Sequence, residues 1–204
     1  MKCNMIDNIK KQIRENPLTK EDSKEQFYRL TKELGVRHTF DFDEAWEIGL
    51  EIRKRKEFRT KVSELEGTLL RSGVCDTGKD LNKTNPVKHT FADGCYIRQI
   101  YNPANEIIIT KVHKKEHPFF LMKGKMSILT EEGVEHIKAP YQGITKPGTK
   151  RVIYTHEECV FITVHATDKV TVEDVEEEVV CATYRDLPPE LDILTVLKQV
   201  NLKE

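Results

Sequence analysis

The spacing of apolar residues changes once along the chain. Over the first third they recur every three to four positions, the spacing of a helix face. Met5, Ile6, Ile9 and Ile13 share one side of a predicted helix over 4–16, stopped by Pro17. Thr19, with Asp22 three residues on, is a capped start for a second helix running to Leu34 and ending at Gly35. Phe27, Leu30 and Leu34 supply its apolar face. A third helix is predicted from Asp41 or Asp43 to Arg71, because Trp46, Leu50, Phe58, Val62, Leu65 and Leu69 recur at helical intervals.

From Val87 onward the pattern becomes one of short β-runs. Strands are predicted over 95–101, 106–113, 119–122, 125–130, 134–137, 143–145, 151–155, 159–165 and 178–183. Turn residues separate most of them, including Asn102-Pro103, Glu132-Gly133, Ala139-Pro140 and Pro147-Gly148. Many short strands with no long helix between them predict an antiparallel sandwich or barrel, and exclude parallel βαβ units. The stretch 72–86 is rich in Gly, Asp, Asn, Lys and Thr and reads as a linker; 191–200, after Pro188-Pro189, reads as a last short helix. The expected fold class is therefore α+β. A helical arm occupies 1–72, a linker 73–86, a β-barrel 87–184 and a tail with a short helix 185–204.

Composition narrows the function classes. The 204 residues suffice for one domain with a real core plus a helical attachment. A net charge of −1 argues against bulk electrostatic binding of nucleic acid. The charge is uneven: residues 86–167 hold 11 Lys and Arg against 8 Asp and Glu, whereas 168–192 hold 2 against 9. The basic run Arg53-Lys-Arg-Lys56 lies among Glu47, Glu51 and Glu57 and reads as a solvated helix face. Five cysteines, Cys3, Cys75, Cys95, Cys159 and Cys181, have no metal-like spacing, and 1–16 lacks the apolar core of a secretory signal. No run approaches 18 apolar residues, so no membrane span is expected. The expectation is a reduced, cytoplasmic protein.

Candidate chemistry concentrates between Ile107 and Gly124. Lys111, His113 and His117 fall at even spacing, which in a regular strand puts their side chains on one face. Apolar Phe119 and Leu121 continue that face, so it reads as a pocket lining. Glu116 is a further candidate ligand, and His165 lies in the apolar strand Val160-Phe-Ile-Thr-Val164.

The segment 111–124, followed by Lys146-Pro-Gly-Thr-Lys-Arg-Val152, resembles the two signature motifs of the cupin superfamily. The phrases Val87-Lys-His-Thr-Phe91, Lys111-Val-His-Lys-Lys-Glu-His-Pro118 and Val164-His-Ala-Thr167 resemble a small cupin-like protein of tailed bacteriophages. The resemblance implies a cupin-type antiparallel jelly roll. It also implies a site for one divalent metal, held in the family by three His and one Glu. Anchored on Gly124 and Gly148, those four positions here carry Lys111, His113, His117 and Arg151. Three of the four depart from the family set.

Two pockets follow. In one, His113 and His117, completed by Glu116 or His165, hold Zn, Fe, Mn or Ni. In the other, Lys111, His113, His117 and Arg151 cradle a small anion such as a phosphate or carboxylate. The expected function is a binding module holding a metal or small anionic ligand, as a phage accessory or assembly protein, virion-associated or in the host cytoplasm. Its helical arm would dock a phage or host protein, and its edge strands would pair into a homodimer. The alternative is a metal-dependent isomerase, epimerase or dioxygenase.

Overall fold

A computed structural model describes residues 19–33, 35 and 41–191. The helix expected over 4–16, Cys3, Leu34 and all but the first residue of the helix expected over 191–200 lie outside the described residues. The chain forms two compact units, Met1–Glu51 and Ile52–Glu204.

In the first unit, α1 (Lys20–Glu33) starts at the expected cap. The Asp22 amide donates to Thr19 Oγ1 at 3.1 Å, and the Thr19 amide donates to Asp22 Oδ2 at 3.3 Å, which satisfies amides that a helix start leaves open. Phe27 meets Phe42 at 5.5 Å between ring centroids, and Phe42 stacks on Trp46 at 6.0 Å. Lys20 adds an ion pair to Glu47 at 2.9 Å.

α2 (Phe42–Ser72) is the long helix that the periodicity predicts. The division between units falls inside it, at 51/52, and not at the expected boundary after residue 72. The cause is a set of charge contacts made by its second half. Glu131 is buried and accepts from Arg55 at 3.0 Å and from Arg59 at 2.5 Å. Glu66 receives the buried Lys150 ammonium at 2.6 Å. Arg59 also lies over the Tyr184 ring, 4.5 Å from its centroid. Arg55, expected to be a solvated charge, is thus part of the packing. The expected linker contains a short helix, α3 (Gly78–Thr84).

Eleven strands follow among the described residues: β1 (Val87–Ala92), β2 (Cys95–Asn102), β3 (Ile107–Ile109), β4 (Val112–His113), β5 (His117–Lys123), β6 (Lys125–Thr130), β7 (Gly133–Lys138), β8 (Tyr141–Thr145), β9 (Val152–Thr155), β10 (Cys159–Ala166) and β11 (Val180–Cys181). One sheet runs β1-β2-β10-β5-β8, a second runs β3-β9-β6-β7, and β4 pairs with β11. Every pairing is antiparallel. This is the expected α+β architecture with an antiparallel jelly roll. Apart from the hairpins β1–β2 and β6–β7 and the small β4–β11 pair, the chain passes back and forth between the two larger sheets, and the core is filled from both. Ile100, Phe119, Leu121, Cys159 and Phe161 come from the first sheet, and Met126, Ile128, Ile137 and Ile153 from the second. Strict alternation of buried and less buried residues along β10 and the first part of β5 is what a half-buried strand requires.

Gly124 makes the tight β5–β6 turn. Its φ is +91°, and an added Cβ would press on the Glu158 carbonyl and come within 2.7 Å of Cys159 Sγ. Only glycine satisfies both demands.

The segment 168–179 departs from expectation. No helix is expected there, but Val172–Val179 is one, α4, capped by Thr171; it buries Val175 and Val179 against Tyr96 and leaves its carboxylates unburied. The strand expected over 178–183 shrinks to the two residues of β11.

Candidate functional site

The barrel interior has an apolar half and a polar half, and pleat alternation separates them. On β5, Leu121 and Phe119 point into the apolar core, and the next inward position is His117. On β10, Phe161 is followed inward by Thr163 and His165, all buried. On β2, Ile100 is followed by Arg98 and then Tyr96, the latter 1% exposed. On β8 the inward series ends at buried Thr145. Cross-strand register places His117 opposite Thr145, Thr163 opposite Arg98, and His165 opposite Tyr96.

Three imidazoles meet here. The His113 and His117 rings lie 4.7 Å apart by centroid, and His117 and His165 lie 4.1 Å apart. His113 is fixed by its backbone: its amide donates to the Thr149 carbonyl at 2.9 Å, and its carbonyl accepts from Gly148 at 2.7 Å. His117 Nδ1 sits 3.1 Å from the Lys115 carbonyl. A carbonyl only accepts, so Nδ1 carries the proton and Nε2 presents a lone pair. Among the described residues that Nε2 is buried with no partner, as are Nδ1 of His113 and Nδ1 of His165. His165 Nε2 contacts Thr163 Oγ1 at 3.1 Å.

Burial holds all three rings neutral. It pushes the His113 pKa down to about 2, assisted by His117, Arg151, His165 and Arg98. It pushes His117 and His165 down to about 4, with Arg151 acting on the first and His117 and Arg98 on the second.

Two guanidiniums complete the polar half. Arg151 is 3% exposed; it donates to Thr145 Oγ1 and rests on the face of Phe119, 4.6 Å from the ring centroid. Burial lowers its pKa to about 10, so it remains charged at neutral pH. Arg98, half-buried at the residue level, has its pKa lowered by desolvation as well. Among the described residues neither guanidinium has a carboxylate within ion-pair distance; Glu135 and Glu176 act on them only from further away. At the rim, exposed His89 places Nδ1 2.6 Å from the Tyr96 hydroxyl.

The structure thus brings together His113, His117, His165 and Arg151, and adds Arg98, Tyr96, Thr145 and Thr163. It does not bring in Lys111 or Glu116. The expectation of an inward Lys111 assumed one regular strand over 106–113. The strand breaks after Ile109, and Val112 and His113 are both buried, so alternation fails at that point. Lys111 is exposed and pairs with Glu176 of α4 at 2.7 Å, and Lys115 pairs with Glu178 at 2.5 Å. The acidic helix and the basic 111–115 segment therefore neutralise one another outside the barrel. Glu116 is exposed, being one residue out of phase with inward His117. Arg98 escaped the sequence reading because it lies in no motif. Its signal was a charge at an inward position between Tyr96 and Ile100.

The donor set does not suit a divalent cation. The three orphan ring nitrogens are chemically suitable ligands. But two guanidiniums share their compartment, no carboxylate supplies negative charge, and the rings face one another. Among the described residues no group of three or more His, Cys, Asp or Glu is arranged to hold a metal ion. The pairs His113–His117 with Glu116 or His165, expected as ligands for Zn, Fe, Mn or Ni, lose Glu116 to the surface.

No family model matches the chain, and no curated protein matches it. Among solved structures it is similar to ectoine synthase from P. lautus, at 13% identity and a TM-score of 0.41, covering 53% of this chain and 80% of that one. It is also similar to a cupin 2 domain-containing protein from Halorhodospira halophila, at 12% identity and a TM-score of 0.38, covering 49% and 79%. A cupin-2 domain containing protein from Shewanella frigidimarina matches at 9% identity and a TM-score of 0.35, covering 47% and 88%. Nothing in these three matches links the chain to tailed bacteriophages. No helix of the described residues is long and apolar enough to cross a membrane.

Proposed function

We propose that the polar half of the barrel is the binding site of a small anion, and that the protein acts as a ligand-binding module. One observation carries this reading: Arg151 is buried, charged and, among the described residues, without a carboxylate partner, and half-buried Arg98, also without one, acts on the same His113 ring. An uncompensated buried charge is costly, and a bound phosphate or carboxylate offsets that cost through paired hydrogen bonds to the guanidinium fork. Neutral imidazoles around it add polar contacts without adding charge. The alternative, a metal-dependent isomerase, epimerase or dioxygenase, needs a ligand set that these donors do not supply. A homodimer through the edge strands and a phage or host partner for the helical arm remain proposals that rest on the sequence alone.

The test is thermal unfolding of wild type and Arg151→Met in anion-depleted buffer, with phosphate, sulfate or small carboxylates titrated in. Met keeps contact with Phe119 and removes the charge. The site reading expects wild type to gain stability with one of these anions at millimolar concentration, by the mass action of a ligand bound to the folded state. It expects Arg151→Met to be at least as stable as wild type without anion, and to gain nothing when anion is added. A wild type unresponsive to every anion overturns the proposal. So does stoichiometric first-row metal in the purified protein that is lost in His113→Ala and His117→Ala.

A further inference from the structure

Resting on the anion reading, the donors and acceptors of the site decide which anions fit. The two guanidiniums can only donate hydrogen bonds. His117 Nε2 can only accept, because the Nδ1 proton is committed to the Lys115 carbonyl. That acceptor is buried and has no partner among the described residues. A fully deprotonated oxyanion placed against it would set lone pair against lone pair. A ligand satisfies both sides of the site only if it carries an oxyanion for Arg151 and an O–H donor for His117.

The register sets the distance between the two functions. Thr145, which anchors the Arg151 guanidinium, lies directly opposite His117 on the neighbouring strand. Side chains directly opposed on antiparallel strands have Cβ atoms about 5 Å apart. The hydroxyl must therefore sit on the oxyanion itself or on the adjacent atom. We propose that the barrel selects a hydroxylated oxyanion, either a 2-hydroxycarboxylate or a hydrogen phosphate group that keeps its P–OH, over the same anion lacking the hydroxyl. The low proton affinity of His117 supports this, since burial keeps the ring neutral and the lone pair free at neutral pH.

Two matched pairs test it by calorimetry at about pH 7.5: lactate against propionate, and phosphate against sulfate. Near that pH phosphate keeps one hydroxyl and sulfate keeps none. A buried acceptor left unsatisfied costs enough for a roughly tenfold preference for the hydroxylated member of whichever pair binds. The pair that shows the preference also separates a carboxylate ligand from a phosphate. Equal affinity within a pair, or preference for propionate or sulfate, overturns the selection rule while leaving the anion site standing. Absence of binding for all four removes the anion reading and this inference with it. In His117→Leu the preference should collapse to within about twofold, whereas Arg151→Met should weaken both members of the pair alike. If His117→Leu fails to fold, the wild-type ratios decide the matter alone.

Discussion

Acidification should destabilise this protein in a window set by three histidines. His113, His117 and His165 are held neutral in the fold, with pKa values of about 2, 4 and 4 against an ordinary 6.5. A folded-state value below the unfolded one means that the unfolded chain takes up protons first. Stability is then fully present above pH 6.5 and falls as pH drops below it, until the folded rings titrate in turn. Between pH 7.5 and 5.5 an ordinary histidine goes from about a tenth to about nine tenths protonated. Each group thus costs about 1.4 kcal/mol over that interval, and the three together about 4 kcal/mol. With a urea dependence of about 2 kcal/mol per molar, the unfolding midpoint should fall by about 2 M. The assay is urea denaturation followed by fluorescence and circular dichroism, in buffers free of phosphate and carboxylate. His165→Gln should remove about a third of the shift. Carboxylates with lowered pKa, such as Glu178 and Glu158, lose their contributions only at lower pH and do not blur the window. A midpoint that stays constant from pH 7.5 to 5.5 would show that the imidazoles are hydrated or paired, and the buried cluster as drawn would be wrong.

The remaining predictions probe where each charge and turn acts. Lys111→Ala should cost under about 1 kcal/mol in urea unfolding and leave anion affinity unchanged, because its pair with Glu176 is more than two-fifths exposed on both sides; a tenfold loss of affinity would return Lys111 to the site. Gly124→Ala should destabilise by more than about 2 kcal/mol, since it adds backbone strain at φ +91° to a clash with the Glu158 carbonyl; a midpoint within 0.2 M of wild type would disprove the turn. Glu131→Gln should cost roughly 1–3 kcal/mol by leaving Arg55 and Arg59 without their shared carboxylate, and protease cleavage within 52–72 should accelerate alongside.

The amino-acid pattern alone determined most of the element types and the layered antiparallel barrel, but not α3, α4 or β1. Periodicity is local, and a chain that alternates over five to eight residues has one economical way to bury its apolar side. The strands at 125–130 and 159–165, the helix from Asp41 to Arg71 and the turn at Gly124 were all readable on that basis. His113 and His117 were marked by their even spacing, and Arg151 only through the resemblance to the cupin motifs. Everything that depended on partners distant in the chain was decided by tertiary structure. A break after Ile109 shifted Lys111 outward, where α4 supplies a carboxylate 65 residues away. Arg98 became part of the site through register with Thr163, and no nearby residue announces that pairing. The run 172–179 became a packed helix because Tyr96 offers Val175 and Val179 a surface, while its carboxylates stay unburied. Charge by itself does not say which way a side chain points. That is set by the cost of burying it, and the cost depends on what the rest of the chain brings alongside.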